Sequence, residues 1–134
     1  MSQLYTKAKE KFLSGAINWV GDTIKVALVD SATYSSNTET DEFLSVIPTA
    51  AIVATSEALT GKSVTGGTAD ANDVTIANVT GTRFECLAIY KDTGDRATSP
   101  LIALIDSATN LPFSPSGGSI IIQFDNGSNK VFSL

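Results

Sequence analysis

The 134-residue sequence predicts a mainly β protein, either an antiparallel β-sandwich, with a jelly roll as one topology, or a β-barrel. We expect about eight short strands and one N-terminal α-helix, because the segment after Asp22 alternates with period two, seven others are short strand candidates, and only the first segment has helical spacing. Turn-forming residues separate these segments at short intervals. The length predicts a single domain over residues 1–134, with an amphipathic N-terminal helix or arm at 1–16 and a sandwich at 22–134.

The N-terminal helix is predicted from about Leu4 to Ser14. Its apolar residues recur at intervals of three and four and share one face: Tyr5, Ala8, Phe12, Leu13 and Ala16. The Ser2 side chain is suited to cap the start of the helix, and Gly15 is suited to end it. We expect the apolar face to pack on the protein's own sheet or on a neighbouring subunit.

The first strand is predicted after Asp22, where Ile24, Val26 and Leu28 alternate with more polar residues. This alternation indicates a half-buried strand. The other predicted strands are short apolar segments bounded by turn residues, at 51–55, 58–64, 74–79, 83–91, 101–105, 119–124 and 130–132.

Turn and loop signals add detail to this outline. Asn126 and Gly127 form the strongest hairpin signal, because a type I′ turn needs positive φ at both central residues. The Gly66 and Gly67 pair marks another turn. The polar stretch 31–41 has no periodicity and exceeds the usual loop length, which indicates a functional surface loop or a mobile one. Three consecutive isoleucines at 120–122 predict a strand covered on both faces, by its own domain or by a partner.

The composition lacks or nearly lacks two residue types that enzymes commonly use in catalysis. The chain has no histidine and one cysteine, so the commonest general base is missing and a disulfide framework is ruled out. Cys86 lies in an apolar run and is expected to be a small buried hydrophobe. A net charge of −5 disfavours nucleic acid as a partner. No apolar run approaches the roughly 18 to 20 residues of a membrane span, so no membrane association is expected.

The carboxylates form no clear catalytic or metal-binding pattern. Glu39, Asp41 and Glu42 lie together in a polar loop, and Asp70 and Asp73 are close in sequence. Neither segment has the glycine-centred spacing of an EF-hand calcium loop. We therefore predict no catalytic residue, no metal site and no cofactor; an enzyme would need a carboxylate cluster assembled by the fold.

Five segments of the chain carry a resemblance to known proteins. They are LYTKAKEKF at 4–12, DTIKVALVD at 22–30, TDEFL at 40–44, AIYKDTG at 88–94, and the C-terminal segment 117–134, which contains FDNG. Together they resemble a family of small virion proteins of tailed bacteriophages and prophages, over essentially the whole chain. The resemblance implies a capsid cement or decoration protein on the outside of the head, made in the host cytoplasm. It also implies binding to the major capsid protein and assembly as a dimer or trimer.

Candidate contact residues follow from this resemblance, the amphipathic N terminus and the long loop. They are Leu4, Tyr5, Phe12, Trp19 and Tyr34. One alternative is another virion component, such as a tail, neck or baseplate protein. A second is a carbohydrate-binding β-sandwich for host attachment, in which exposed Trp19 or Tyr90 would stack on sugar rings.

Overall fold

In a computed structural model of the chain, the described residues are 2–81, 83–105, 114–122 and 132–133. They form a mainly β fold in which antiparallel sheets are arranged as a sandwich, with one α-helix near the N terminus. No sheet closes on itself within these residues, so the sandwich prediction is confirmed and the barrel alternative is not observed.

The described residues form ten strands and one α-helix. In chain order these are β1 (Ser2–Leu4), α1 (Thr6–Ser14), β2 (Ile24–Val29), β3 (Ile52–Thr55), β4 (Ser63–Thr65), β5 (Thr68–Asp70), β6 (Val74–Ile76), β7 (Cys86–Lys91), β8 (Leu101–Ile105), β9 (Ile120–Ile122) and β10 (Phe132–Ser133). Two short 3-10 helices, Leu44–Val46 and Thr49–Ala51, precede β3. Within this part of the chain, no helix combines the length and the apolar character needed to cross a bilayer.

The central sheet has five antiparallel strands in the order β1, β8, β7, β2, β3. β2 and β7 pair with Val26 opposite Ile89 and Ala27 opposite Ala88. Every residue of β2 is buried except Lys25, which is half-buried. The prediction that this strand is half-buried is therefore wrong, because β2 lies inside the sheet and apolar groups cover both of its faces.

Most predicted strands are present but shorter than expected. The prediction for 101–105 agrees with β8, whereas segment 58–64 reaches a strand only at Ser63, where β4 begins. The backbone N–H of Leu59 instead donates to the oxygen of Ile24 at 2.8 Å, so this segment contacts the start of β2 through a loop. Strands β1 and β5 were not predicted from the sequence, because Ser2–Leu4 lies at the start of the segment with helical spacing and Thr68–Asp70 contains a single apolar residue.

Two smaller antiparallel sheets complete the described fold, one in the order β10, β5, β4 and one that pairs β6 with β9. Gly66 and Gly67 have positive φ angles of 60° and 78°, as the tight turn between β4 and β5 requires. Ile121 is 60% exposed, so the chain by itself does not cover both faces of β9, and the predicted cover by a partner stays a prediction. The predicted hairpin at Asn126 and Gly127 lies outside the described residues.

Helix α1 begins two residues later than predicted. Tyr5 is its N-cap, and Ser2 lies in β1 rather than at the start of the helix. Gly15 ends the helix in the left-handed region at φ 83°, as predicted, and the N–H of Ala16 donates to the oxygen of Lys11 at 2.8 Å. Because β1 pairs with β8 and α1 packs against β8, the N-terminal segment contributes directly to the central sheet and its packing.

Candidate interaction surface

Helix α1 lies beside residues 31–43, which comprise the polar loop 31–41 and the two residues that follow it. The N–H of Thr6 donates to the oxygen of Thr38 at 2.8 Å, at the start of the helix. Farther along, Lys11 Nζ forms an ion pair with Glu42 Oε2 at 2.6 Å. The same ammonium group lies 5.2 Å from the centre of the Phe43 ring, within cation–π range. We call the exposed residues of α1 and of 31–40 the helix–loop surface.

A chain of hydrogen bonds that begins in the core holds the loop against the start of the helix. Tyr34 donates its hydroxyl proton to Asp41 Oδ2 at 2.6 Å. The hydroxyl of Tyr5 lies 2.9 Å from that of Tyr34 and therefore donates to it. Asp41 Oδ2 also accepts the N–H of Asn37 at 2.9 Å. The hydrogen bonds among Tyr5, Tyr34 and Asp41 thus hold the long loop against the rest of the protein.

The titration of the two tyrosines agrees with this arrangement. Burial raises the pKa of the Tyr5 hydroxyl well above its ordinary value. Burial also raises the pKa of Tyr34, and its hydrogen bond to Asp41 raises it further. Both hydroxyl groups therefore remain protonated donors across the neutral range.

The beginning of the loop is held by a turn around Asp30. Its carboxylate accepts the N–H of Ala32 at 3.0 Å, and its backbone oxygen accepts the N–H of Tyr34 at 3.2 Å. The N–H of Ser31 donates to Glu85 Oε1, also at 3.0 Å. Together with the bonds of Asp41, these contacts order the loop at both of its ends.

The helix–loop surface carries one large apolar side chain that is almost fully exposed. Leu13, in the last turn of α1, is 88% exposed, the highest value among the large apolar side chains of the described residues. Isolated apolar residues are ordinary on protein surfaces, so its significance comes from its position on a helix flanked by an ordered loop. Leu13 lies at the margin of the apolar stripe, where periodicity alone does not decide between core and surface.

Three of the five predicted contact residues lie in the core. Tyr5 is 0%, Trp19 4% and Tyr34 5% exposed. Trp19 also donates its indole N–H to the oxygen of Asp70 at 3.0 Å. This placement corrects the expectation for these residues: their aromatic surface is already used inside the chain, where aromatic burial contributes strongly to stability.

The other two predicted contact residues are partly accessible. Leu4 lies in β1 and Phe12 in α1, and both are half-buried against the core. A contact role for Leu4 and Phe12 stays a prediction. Leu13 belongs to the apolar face predicted from the sequence, and it is the most exposed large apolar side chain of this surface.

The carboxylates of the polar loop have structural partners rather than a shared site. Asp41 accepts from Tyr34 and Asn37, and Glu42 pairs with Lys11. The described residues contain no group of three or more potential metal ligands. Cys86 is buried, as predicted for a small apolar side chain.

Two ion pairs join the start of β2 to the end of β7. Lys25 Nζ lies 2.7 Å from Asp92 Oδ2, and Lys91 Nζ lies 3.1 Å from Asp22 Oδ2. The hydrogen bond from Lys25 and the N–H of Gly94 lower the pKa of Asp92. Burial alone would raise the pKa of Asp22, but the hydrogen bond from the backbone of Asn18 and the contacts with Lys91 lower it overall. These ionised pairs therefore stabilise the fold at neutral pH.

Comparisons with known proteins do not assign the chain to a family. No protein-family model matches it, and no curated protein matches it significantly. The functional proposal therefore depends on the contacts described above and on the resemblance seen in the sequence.

Proposed function

We propose that this chain is a non-enzymatic structural protein of a tailed-phage particle, and that it cements the capsid from the outside. In this role it binds between subunits of the major capsid protein and stabilises the head. The sequence resemblance at 4–12, 22–30 and 40–44 supports the assignment to a virion. The observation that supports a contact function is the helix–loop surface, in which an ordered polar loop flanks a helix that presents Leu13.

The physical requirement for a cement protein is additional contact, not turnover. Packed DNA exerts outward pressure on a mature head, and every copy that bridges two capsomers adds an interface that rupture must break. Stable interfaces bury about 1,600 Å² in total, and linked contacts strengthen one another through high effective concentration. An ordered surface suits this role, because less conformational freedom is lost on binding.

Deletion of residues 1–15 is a poor test, because it would remove β1 from the central sheet and Tyr5 from the core. A substitution at Leu13 is sharper. We expect Leu13→Glu to fold normally and to bind purified heads that lack the protein about tenfold or more weakly, since the charge would be buried against the capsid.

Val64→Glu is the matched control, because Val64 is 59% exposed in β4, outside the helix–loop surface. It introduces the same charge at another exposed apolar position and should bind heads like the unaltered protein. Unchanged binding by Leu13→Glu would contradict a role for this surface, and equal loss in both variants would attribute the effect to net charge.

Immunogold labelling of intact particles tests the position in the virion independently. Label spread over the head supports the cement role, whereas label confined to the tail, neck or baseplate overturns it in favour of another virion component. Sedimentation of the purified protein tests the expected dimer or trimer. A monomer at all concentrations would remove self-association from the proposal.

The carbohydrate-binding alternative loses the two aromatic residues on which it depended. Trp19 and Tyr90 are each 4% exposed and have little ring surface available to a sugar. Sugar stacking needs an open aromatic face, so neither residue serves that purpose in this conformation.

A further inference from the structure

An open pocket of about 320 Å³ lies beside the two ion pairs, away from the residues that define the helix–loop surface. It is bounded by β2, β3, the end of β7 and the turn that follows β7. The residues that give the pocket its chemical character are Lys25, Leu44, Ile52, Tyr90, Asp92 and Arg96. Its wall is therefore partly apolar and carries charges of both signs.

Arg96 is the cation of this wall that lacks a carboxylate partner among the described residues. Its guanidinium donates from Nη2 to the backbone oxygen of Ile47, and the side chain is half-buried. The neighbouring acids are already occupied: Asp92 pairs with Lys25 at 2.7 Å, and Asp95 Oδ1 accepts the N–H of Ala97 at 2.9 Å. A guanidinium has five donors, so Arg96 retains the capacity to bind an anion.

The turn that carries Arg96 is ordered by its own hydrogen bonds. Ser99 is 1% exposed, donates to the backbone oxygen of Asp95 at 2.8 Å and accepts the N–H of Thr93 at 3.1 Å. The N–H of Gly94 donates to Asp92 Oδ1 at 2.9 Å. These bonds fix the backbone on both sides of Arg96. Less conformational entropy of this turn is therefore lost when a ligand binds.

We infer that this pocket binds a carboxylate on an apolar stem, with Arg96 as the residue that contacts the anion. A guanidinium matches the two oxygens of a carboxylate in a bidentate arrangement. The nearby Asp92 and Asp95 carboxylates repel a doubly charged phosphate more strongly than a singly charged group. Leu44 and Ile52 offer apolar surface to the stem. A glutamate side chain of a protein partner and a small carboxylic acid both present this chemistry.

The test is a titration of the full-length protein followed by NMR at the Arg96 Nε–Hε group. The probes are butyrate, an uncharged-ended peptide with one central glutamate, the same peptide with glutamine, and inorganic phosphate. We expect saturable shifts at Arg96 with butyrate and with the glutamate peptide, and none with the glutamine peptide. Tighter binding of the glutamate peptide than of butyrate would assign a protein partner, and equal or weaker binding would assign a small acid.

Arg96→Gln should weaken binding about tenfold or more, whereas Arg83→Gln should leave it unchanged. Arg83 is the matched control because it is an exposed arginine that pairs with Glu85 at 3.4 Å, outside the pocket lining. If Arg96→Gln does not fold, Arg96→Lys keeps the charge but loses the bidentate geometry and should bind more weakly than the unaltered protein. The inference would be overturned if neither butyrate nor the glutamate peptide shifted the Arg96 signal, or if phosphate bound more tightly than both of them. The pocket's chemistry does not depend on the proposed role in a virion.

Discussion

The hydroxyl groups of Tyr5 and Tyr34 lie 2.9 Å apart in the core, although the two residues are 29 positions apart in the chain. This bond joins the N-cap residue of helix α1 to the first part of the long polar loop. Tyr34 in turn donates a hydrogen bond to Asp41, so the three side chains form a directed chain of hydrogen bonds from the core to the loop. The helix–loop surface depends on this connection.

Removing the Tyr34 hydroxyl should cost more stability than removing that of Tyr5. Tyr34→Phe leaves the buried Tyr5 hydroxyl without its acceptor and removes one of the two hydrogen bonds to Asp41, and we expect a loss of about 2 kcal/mol in the free energy of unfolding. Tyr5→Phe removes only a donor to Tyr34 and should cost about 1 kcal/mol. Urea unfolding of each single variant and of the double variant measures these values.

The double variant should lose little more than Tyr34→Phe, because the two hydroxyls share one bond. Tyr90→Phe is the control: Tyr90 is also buried, but its hydroxyl has no hydrogen bond to the described residues. We expect less than about 0.5 kcal/mol for this variant. Equal losses at Tyr90 and Tyr34 would show that the hydrogen-bond chain adds no stability.

Two leucines separate the cost of core packing from that of surface exposure. Leu28 is fully buried in β2, whereas Leu13 is 88% exposed in α1. Leu28→Ala should lower the free energy of unfolding by about 3 kcal/mol, through lost burial and the cavity it leaves. Leu13→Ala should change it by less than about 0.5 kcal/mol. Chemical denaturation of both variants measures the difference, and a large loss at Leu13 would contradict its exposed position.

The left-handed conformation at the end of α1 should make Gly15 sensitive to a side chain. Gly15 has φ 83°, and a Cβ built on it meets no atom within 4 Å, so only backbone strain opposes Gly15→Ala. We expect a loss of about 1 kcal/mol from this strain. Gly118→Ala is the control, because its Cβ also meets nothing within 4 Å and its φ lies outside the left-handed region. Thermal unfolding of the two variants should separate them, and equal midpoints would contradict the strain argument.

The lowered pKa values of Asp22 and Asp92 predict acid sensitivity. A carboxyl group with a lower pKa in the folded state stabilises the protein above its unfolded value of about 3.9. This contribution is lost as the pH falls from that value through the lower folded pKa. Unfolding free energies measured from about pH 6 down to pH 2 should therefore decline most steeply below about pH 4.

Asp92→Asn should cost about 1 kcal/mol at neutral pH and flatten this decline, because it removes the ion pair with Lys25. Glu39→Gln removes one negative charge from the exposed polar loop and serves as the control for net charge. A similar flattening in Glu39→Gln would attribute the acid effect to net charge and contradict the role of the Lys25–Asp92 pair.

The sequence was sufficient for the features that depend on neighbouring residues. Period-two alternation located β2, short apolar runs bounded by turn residues located β7 and β8, and the glycine requirement of positive φ located the end of α1 at Gly15 and the turn at Gly66. These features can be predicted because the signal and the structure lie within the same few residues. The buried state of Cys86 follows for the same reason, since it begins the apolar run that continues to Tyr90.

The tertiary structure alone decided which apolar residues face inward and which distant polar groups meet. Tyr5, Trp19 and Tyr34 were expected at a contact surface, yet they are buried inside the fold. Leu13 belongs to the same apolar stripe as Tyr5, yet it is exposed. The pocket beside Arg96 likewise brings together residues from several strands and turns. Local periodicity predicts that a face is apolar, but what covers that face is determined by segments far away in the chain.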